Sequence, residues 1–403
     1  MAASPLAIWQ DLVSPARADL RAAAAACDPR QVSQLDALRR RWPADLVHAA
    51  LQLHEARGRA ASKFGHLAPE LIADPQALQQ ATSAAVALHK ARRFLRALGP
   101  GATVYDCCCG MGGDALALHA MGLHVLAIDL DPLRAWMTQL NARCQTRVAD
   151  VTQLDLAALD HTATGRPALH IDPARRADGR RLWRADELLP PLDAVARMID
   201  QAPSAAVKLG PGVDPSDLPW ACELEYVSEN GQMVQAVAWS GQLKESPCRA
   251  TRITWRSDPR EAQVQTLTGP DDRSAPPALG PLGRFVYSVD DAIERARLLG
   301  ELGRQLRLSM PHPSLGLYTS DERIESPWLT AFEVLERLPW RPERVKARLN
   351  ERGAGVVEVK TRDKACDPEI AQKQLRGSGR EPFCVFVLRW DRAVTALICR
   401  RVG

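Results

Sequence analysis

Lysine is scarce in this chain, aromatic residues are few, and two patterns are missing altogether. Eight of its 52 cationic residues are Lys and 44 are Arg, and aromatics make up 5% of 403 residues. A GC-rich codon bias accounts for such an excess of Arg, and Arg also suits phosphate and nucleic-acid contacts. No C-x-x-C pair occurs among the ten cysteines, which argues against a zinc ribbon or a thioredoxin-type site, and no metal is expected. Cys107, Cys108 and Cys109 are consecutive and do not suit one disulfide framework, so reduced thiols are expected. No apolar run approaches the ~20 residues of a membrane span. Asp11, Asp19 and Asp28 interrupt any signal-peptide layout at the N-terminus. The expectation is a soluble, cytoplasmic protein. With 46% hydrophobic and 25% charged residues the composition is globular, which excludes a disordered tail or a collagen-like repeat. The length suits two to three domains.

Residues 1–98 read as helical, with Ser14-Pro15, Asp28-Pro29 and Asp74-Pro75 as cap-and-proline starts. From Gly99 short β-rich runs alternate with helices: strands at Thr103–Cys107, His124–Asp129, Arg147–Ala149, Ala168–Asp172 and Ala205–Leu209. That alternation predicts a parallel α/β sheet. Asn230-Gly231 between two further runs predicts a closing antiparallel hairpin over 223–238. Residues 256–283 lack periodicity and read as a linker. Residues 284–403 read as an α+β module, with helices at 291–308, 328–338 and 342–352 and strands at 356–360, 383–390 and 395–400.

The chemistry concentrates at a strand-to-helix turn, Asp106-Cys107-Cys108-Cys109-Gly110-Met111-Gly112-Gly113-Asp114. Glycines there let a backbone pass close beneath a nucleoside. Taken alone, Gly110-x-Gly112-x-x-Ala115 followed by Asp129 also fits a dinucleotide fingerprint. An acid at Asp106 gains nothing against a pyrophosphate but suits a sulfonium ligand that carries an ammonium group. Asp150 and Asp172 stand at two further strand ends, where ligands of open α/β sheets bind.

This pattern resembles class I S-adenosylmethionine-dependent methyltransferases, whose Rossmann-like core the fold would share. More closely, Asp106-x-Cys-Cys-Gly-x-Gly-Gly-Asp114, Ile128-Asp-Leu-Asp-Pro-Leu-Arg134, Asp172-Pro-Ala-Arg-Arg176 and Val207-Lys-Leu-Gly-Pro-Gly-Val213 look like a bacterial methyltransferase family with a THUMP-like C-terminal domain. The resemblance implies four regions: helical 1–98, methyltransferase 99–255, linker 256–283 and THUMP-like 284–403. It implies that S-adenosylmethionine is held by Asp106, Cys108, Gly110, Gly112 and Gly113 on its methionine side. Asp129 and Leu130 would meet the ribose, and Asp150 and Val151 the adenine. Asp172 and Pro173 would face the methyl acceptor, as the catalytic pair. The core is also similar to trimethylguanosine synthases, but these carry Ser-Pro-Pro-Trp where this chain has Asp172-Pro173-Ala174-Arg175, so the stacking aromatic of a cap-guanosine site is missing. Uracil-C5 enzymes place a nucleophilic Cys on the next strand. Here that strand reads Val207-Lys208-Leu209-Gly210, which disfavours covalent catalysis.

Arg175, Arg176, Arg180, Arg181 and Arg184, with Trp183 among them, follow Asp172 and suit a nucleic-acid strand. Lys208 and Lys63 are further candidates for substrate contact. Residues 1–100 carry +5, residues 101–255 carry −5, residues 256–330 carry −2 and residues 331–403 carry +6. A THUMP-like module implies RNA as partner, and the basic C-terminal part is compatible with it. The expected activity is therefore methylation of RNA at a base nitrogen. An NAD(P)-dependent oxidoreductase, a non-catalytic RNA-binding protein on the same scaffold, and a small-molecule or protein acceptor remain as alternatives.

Overall fold

A computed structural model of the chain describes residues 3–155, 166–175, 188–362 and 364–402. Six helices come first: α1 (Pro5–Val13), α2 (Ala18–Ala25), α3 (Val32–Arg41), α4 (Ala44–Phe64), α5 (Pro75–Gln80) and α6 (Ala84–Leu98). Ser4, Asp74 and Ser83 cap α1, α5 and α6 by accepting from backbone N–H groups. Asp28-Pro29 starts no helix. It forms a turn in which the Asp28 carboxylate accepts from the Arg30 N–H, and α3 begins only at Val32.

The alternating part follows as β1 (Thr103–Cys107), α7 (Gly113–Ala120), β2 (His124–Asp129), α8 (Pro132–Ala142), β3 (Gln145–Val148), β4 (Ala168–Ile171), the short β5 (Ala174–Arg175) and β6 (Leu188–Leu189), α9 (Leu192–Asp200) and β7 (Ser204–Leu209). Then come β8 (Glu223–Glu229), β9 (Gln232–Gly241), β10 (Cys248–Thr254) and β11 (Gln263–Gly269). The nine-stranded sheet has the order β11-β10-β8-β9-β7-β4-β1-β2-β3. β1 pairs in parallel with β2 and β4, and all five of its residues are buried, as expected of a central parallel strand. Asn230 and Gly231 turn between β8 and β9 with φ 50° and 80°, the paired positive values of a type I′ hairpin.

The hairpin expected from Asn230-Gly231 forms, but it does not close the sheet. β9 pairs antiparallel with β7, and β10 and β11 extend the order beyond β8. β11 lies inside the stretch expected to be a linker. Only Leu267 of its seven residues is buried, so it carries little of the hydrophobic alternation that announces a strand.

Contacts divide the chain into two units. The first is Met1–Asn230, Val234–Glu245 and Ile253–Val264; the second is Gly231–Met233, Ser246–Arg252 and Gln265–Gly403. In the first, α6 lays Ala87, Ala91 and Phe94 into a core with Val104, Ala117, Leu118, Ala206 and Trp239. A separate cluster fills the helical region around Trp9, Leu46, Leu53 and Phe64.

The second unit contains β12 (Phe285–Val289), α10 (Asp291–Arg295), α11 (Leu299–Leu306), β13 (Leu317–Ser320), β14 (Leu329–Pro339), α12 (Pro342–Glu351), β15 (Ala354–Thr361), α13 (Pro368–Leu375), β16 (Glu381–Trp390) and β17 (Ala393–Val402). Its six-stranded sheet has the order β13-β12-β14-β17-β16-β15. β14 occupies the stretch expected to be helical at 328–338. Its Leu, Ala, Glu and Arg residues favour helix, but it lies between β12 and β17, pairing antiparallel with each. A bulge between Val334 and Glu336 breaks the period of two, which is why the strand is hard to see in the sequence. The long helix expected at 291–308 is two, parted by Arg297 at φ 56°. Among the described residues no helix is long and apolar enough to cross a membrane.

Candidate functional site

Four carboxylates stand at the carboxyl ends of parallel strands: Asp106 on β1, Asp129 on β2, Asp150 after β3 and Asp172 after β4. The turn from β1 to α7 passes among them. Cys109 N–H donates to the Ile128 carbonyl at 3.1 Å and Gly112 N–H to the Cys109 carbonyl at 2.9 Å. Cys108 adopts φ 61°, a left-handed backbone that side-chain residues rarely take. Gly112 has φ 89°, and a Cβ there would lie 3.0 Å from Thr138 of α8, so a larger residue would be strained in its backbone and would press on that helix. Gly110, at φ 58°, is the opposite case: a Cβ there would meet nothing within 4 Å, so the turn opens onto free space.

Asp129 accepts from the Gly110 N–H at 2.9 Å and from the Asp131 N–H at 3.0 Å. Burial raises its carboxyl pKa, and those two N–H groups oppose the shift. Leu130 beside it is 71% exposed, an apolar surface with no cover. Asp150 accepts from Thr152 N–H and Oγ1 at 2.9 and 2.7 Å, and Val151 is buried. An exposed apolar side chain next to a carboxylate that meets the open turn through Gly110, with a second acceptor carboxylate after the neighbouring strand, suits a nucleoside with its flat base, hydroxyls and amino group. The residues present thus fit the cofactor that the motif implies. The helix cap belongs to Asp131, which accepts from the Leu133 N–H.

Asp106 lies under the turn, 1% exposed. Its Oδ1 is 2.7 Å from His170 Nδ1, and its buried Oδ2 has no hydrogen-bond partner among the described residues. Burial raises its carboxyl pKa, and the His170 hydrogen bond opposes that. His170 Nε2 is 3.0 Å from Lys90 Nζ. An ammonium only donates, so Nε2 accepts and Nδ1 carries the proton toward Asp106. Lys90 Nζ also lies 2.6 Å from Asp114 Oδ1, and Asp114 Oδ2 accepts from Thr82 Oγ1 at 2.7 Å. Burial pushes the Asp114 carboxyl up, but Lys90, with Lys208 adding to it, outweighs that and holds it well below the usual carboxylate range. All five side chains are buried. This network went unread in the sequence. One signal was present: Lys90 and Arg93 share the face of α6 that carries Ala87, Ala91 and Phe94.

Asp172 is held by Lys208, whose Nζ donates to Asp172 Oδ2 at 2.7 Å and to the Gln80 carbonyl at 3.0 Å. Burial disfavours the Lys208 ammonium, but Asp172 and then Asp114 prevail and raise its pKa. Pro173 is buried. Lys63 Nζ donates to the carbonyls of Leu78, Gln79 and Ala81 at 2.9, 2.8 and 2.9 Å. Burial, with Lys208 adding to it and Glu229 opposing, pushes Lys63 down to about 8. The thiols of Cys107, Cys108 and Cys109 are pushed up by burial, which leaves them poor nucleophiles. The Arg175 side chain, Arg176 and Trp183, with Arg180, Arg181 and Arg184, lie outside the described residues.

Comparison with known proteins shows the family. Residues 329–401 match the family model described as THUMP domain-like. Proteins described as uncharacterized S-adenosylmethionine-dependent methyltransferases, in two strains of Mycobacterium tuberculosis, are 31% identical over 356 residues, covering 85% of this chain and 94% of theirs. A crystal structure of a putative methyltransferase from Porphyromonas gingivalis W83 superposes with a TM-score of 0.73 at 18% identity, covering 100% of both chains, a likeness of fold. The chain belongs to the class I S-adenosylmethionine-dependent methyltransferases that carry a THUMP-like C-terminal domain, and S-adenosylmethionine is its cofactor.

Proposed function

We propose that the enzyme methylates RNA at a base nitrogen. The observation that carries this reading is Asp172, a carboxylate at the end of β4 whose Oδ2 is fixed by Lys208. Bound S-adenosylmethionine supplies an electrophilic methyl carbon on a sulfonium. The protein's task is then to align a nucleophile with that carbon and to exclude water. Asp172 Oδ1 would accept a hydrogen bond from an exocyclic amine and take its proton as the new N–C bond forms and the methyl–sulfur bond breaks, the electron pair staying on sulfur. Pro173 shapes the turn that follows. Lys208 acts on Asp172, while Arg175, Arg176 and Trp183 meet the phosphates and a base of the strand.

On the cofactor side, Gly110, Gly112, Gly113 and the left-handed Cys108 form the floor, supported by Asp106 from beneath. Asp129 and Leu130 take the ribose, and Asp150 and Val151 the adenine. In this reading residues 99–255 are the catalytic domain and residues 284–403, reached through 256–283, dock the RNA. The THUMP-like match and the +6 charge of residues 331–403 support the last assignment. Ten free cysteines suit the cytoplasm.

The test compares modified nucleosides by mass spectrometry in RNA from cells with and without the gene. One methylated nucleoside should disappear with the gene, and labelled methyl should return to that RNA on adding the purified protein. Identical nucleoside profiles would sink the proposal.

A further inference from the structure

Six successive residues, from the last turn of α5 to the cap of α6, are each tied by polar groups from other elements. Lys63 of α4 takes the carbonyls of Leu78, Gln79 and Ala81. Lys208 of β7 takes the carbonyl of Gln80. Thr82 Oγ1 donates to Asp114 of α7, and Ser83 Oγ donates to Glu229 of β8 at 2.7 Å. Glu229 is itself held by Trp255 Nε1 at 2.6 Å. The Thr82 carbonyl also rests on Gly113, where an added Cβ would lie 3.0 Å from it. A six-residue helix such as α5 has no stability of its own and needs none of these ties merely to end.

An ammonium has three donors, and Lys63 spends all three on carbonyls of this segment. It has none left for a substrate phosphate. What it does instead follows from the next bond along. The Gln80 carbonyl is one of the two groups that aim Lys208, and the other is Asp172. With the segment in place, Lys208 has one position, and so does Asp172 Oδ2.

We propose that the segment Leu78–Ser83 is a wall of the acceptor site and that Lys63 is its positioning residue, acting on Asp172 through the Gln80 carbonyl and Lys208. Gln79 and Gln80, both exposed, are the side chains this wall presents to an acceptor. Their amides carry a donor and an acceptor each, the pattern that pairs with a nucleobase edge. The charged groups acting on Lys63 are Lys208 from β7 and Glu229 from β8. The inference rests on the reading of Asp172 given above.

The experiment uses the full-length protein and Lys63→Met, which keeps the length of the stem and removes the donors. Three readouts need no acceptor. Hydrogen exchange of a peptide spanning 78–83 should rise at least tenfold in the variant. Acylation of Lys208 by an amine-reactive reagent, read by mass spectrometry, should rise several-fold. The Kd of S-adenosylhomocysteine, by calorimetry, should stay within twofold. Unchanged exchange, or a Lys208 that remains protected, overturns the clamp. Loss of S-adenosylhomocysteine binding overturns its assignment to the acceptor side. A fourth readout is methyl transfer to RNA from cells lacking the gene: kcat should fall at least tenfold in Lys63→Met, and Gln80→Ala should raise KM with kcat preserved. Full activity in Lys63→Met with a loosened segment overturns the positioning role. If the wild type transfers nothing to RNA, the reading of RNA as substrate fails, and the three acceptor-free readouts still decide the clamp.

Discussion

Replacing Lys90 by Met should destabilise the first unit, in a way that pH reverses. Lys90 and Asp114 are 1% and 8% exposed at their side chains and lie 2.6 Å apart. Met fills nearly the same volume, so the change removes charge and donors rather than packing. Breaking a buried pair by deleting one partner costs about 3–5 kcal/mol, because the remaining charge is left in an apolar surround. That range corresponds to opening roughly 100- to 5000-fold more often, at about 1.4 kcal/mol per tenfold. Hydrogen exchange of β1 and β4 amides reads that opening for this unit alone. In the variant, burial remains and the strongest of the charges that hold the Asp114 carboxyl down is gone, so its folded pKa should rise, with burial carrying it above the unfolded value. A carboxyl so shifted binds a proton more readily in the folded than in the unfolded state, and stability falls as pH rises through that window. The deficit should therefore be larger at pH 8 than at pH 5, and Lys90→Met with Asp114→Asn should recover most of it. A single variant within about 1 kcal/mol of the wild type at pH 8, or a deficit independent of pH, would refute the reasoning.

Other outcomes follow from the same geometry. Asp129→Ala removes an acceptor that organises Gly110, and should weaken S-adenosylhomocysteine binding by roughly 10- to 150-fold in calorimetry, the loss expected of a hydrogen bond to a charged group. Asp172→Asn should lower methyl transfer by about 100-fold or more, the scale of a lost proton acceptor, with S-adenosylhomocysteine affinity intact. Gly112→Ala meets both a left-handed backbone and Thr138, and should cost about 1–3 kcal/mol in chemical denaturation. Lys63 releases its proton near 8 in the folded chain and near 10.5 in the unfolded one. Its contribution to stability should thus rise with pH between those values, a slope that Lys63→Met abolishes in denaturation curves taken across that range.

The features readable in the sequence were those with a local cause. A cap and a proline mark α5 and α8, Asn-Gly marks the β8–β9 turn, and acids after apolar runs mark the strand ends. β14 was not readable, because its residues favour helix and only β12 and β17 make it a strand. β11 gives too little alternation to be seen. The site divides in the same way. Asp129 and Asp172 sit where strand ends put them, whereas His170 and Lys90 become a pair only after β4 and α6 have packed. The role of Lys63 was equally hidden, because its three partners are carbonyls 15 to 18 residues further along the chain.

Helix α6 carries a second buried cation one turn beyond Lys90. Arg93 is 2% exposed, grips Glu223 through two guanidinium nitrogens at 3.1 and 2.6 Å, and stacks 4.3 Å over Trp239. Alanines dominate the rest of that face, with Val86 and Phe94 its larger members, so little else in it fixes the register of the helix. The two cations do. A slip of one turn, about 5.4 Å, would carry each away from its anion and strand four charges in an apolar layer. The acids of β1, α7 and β8 thus act as a lock cut for a key with two teeth, and α6 can enter it in one position only.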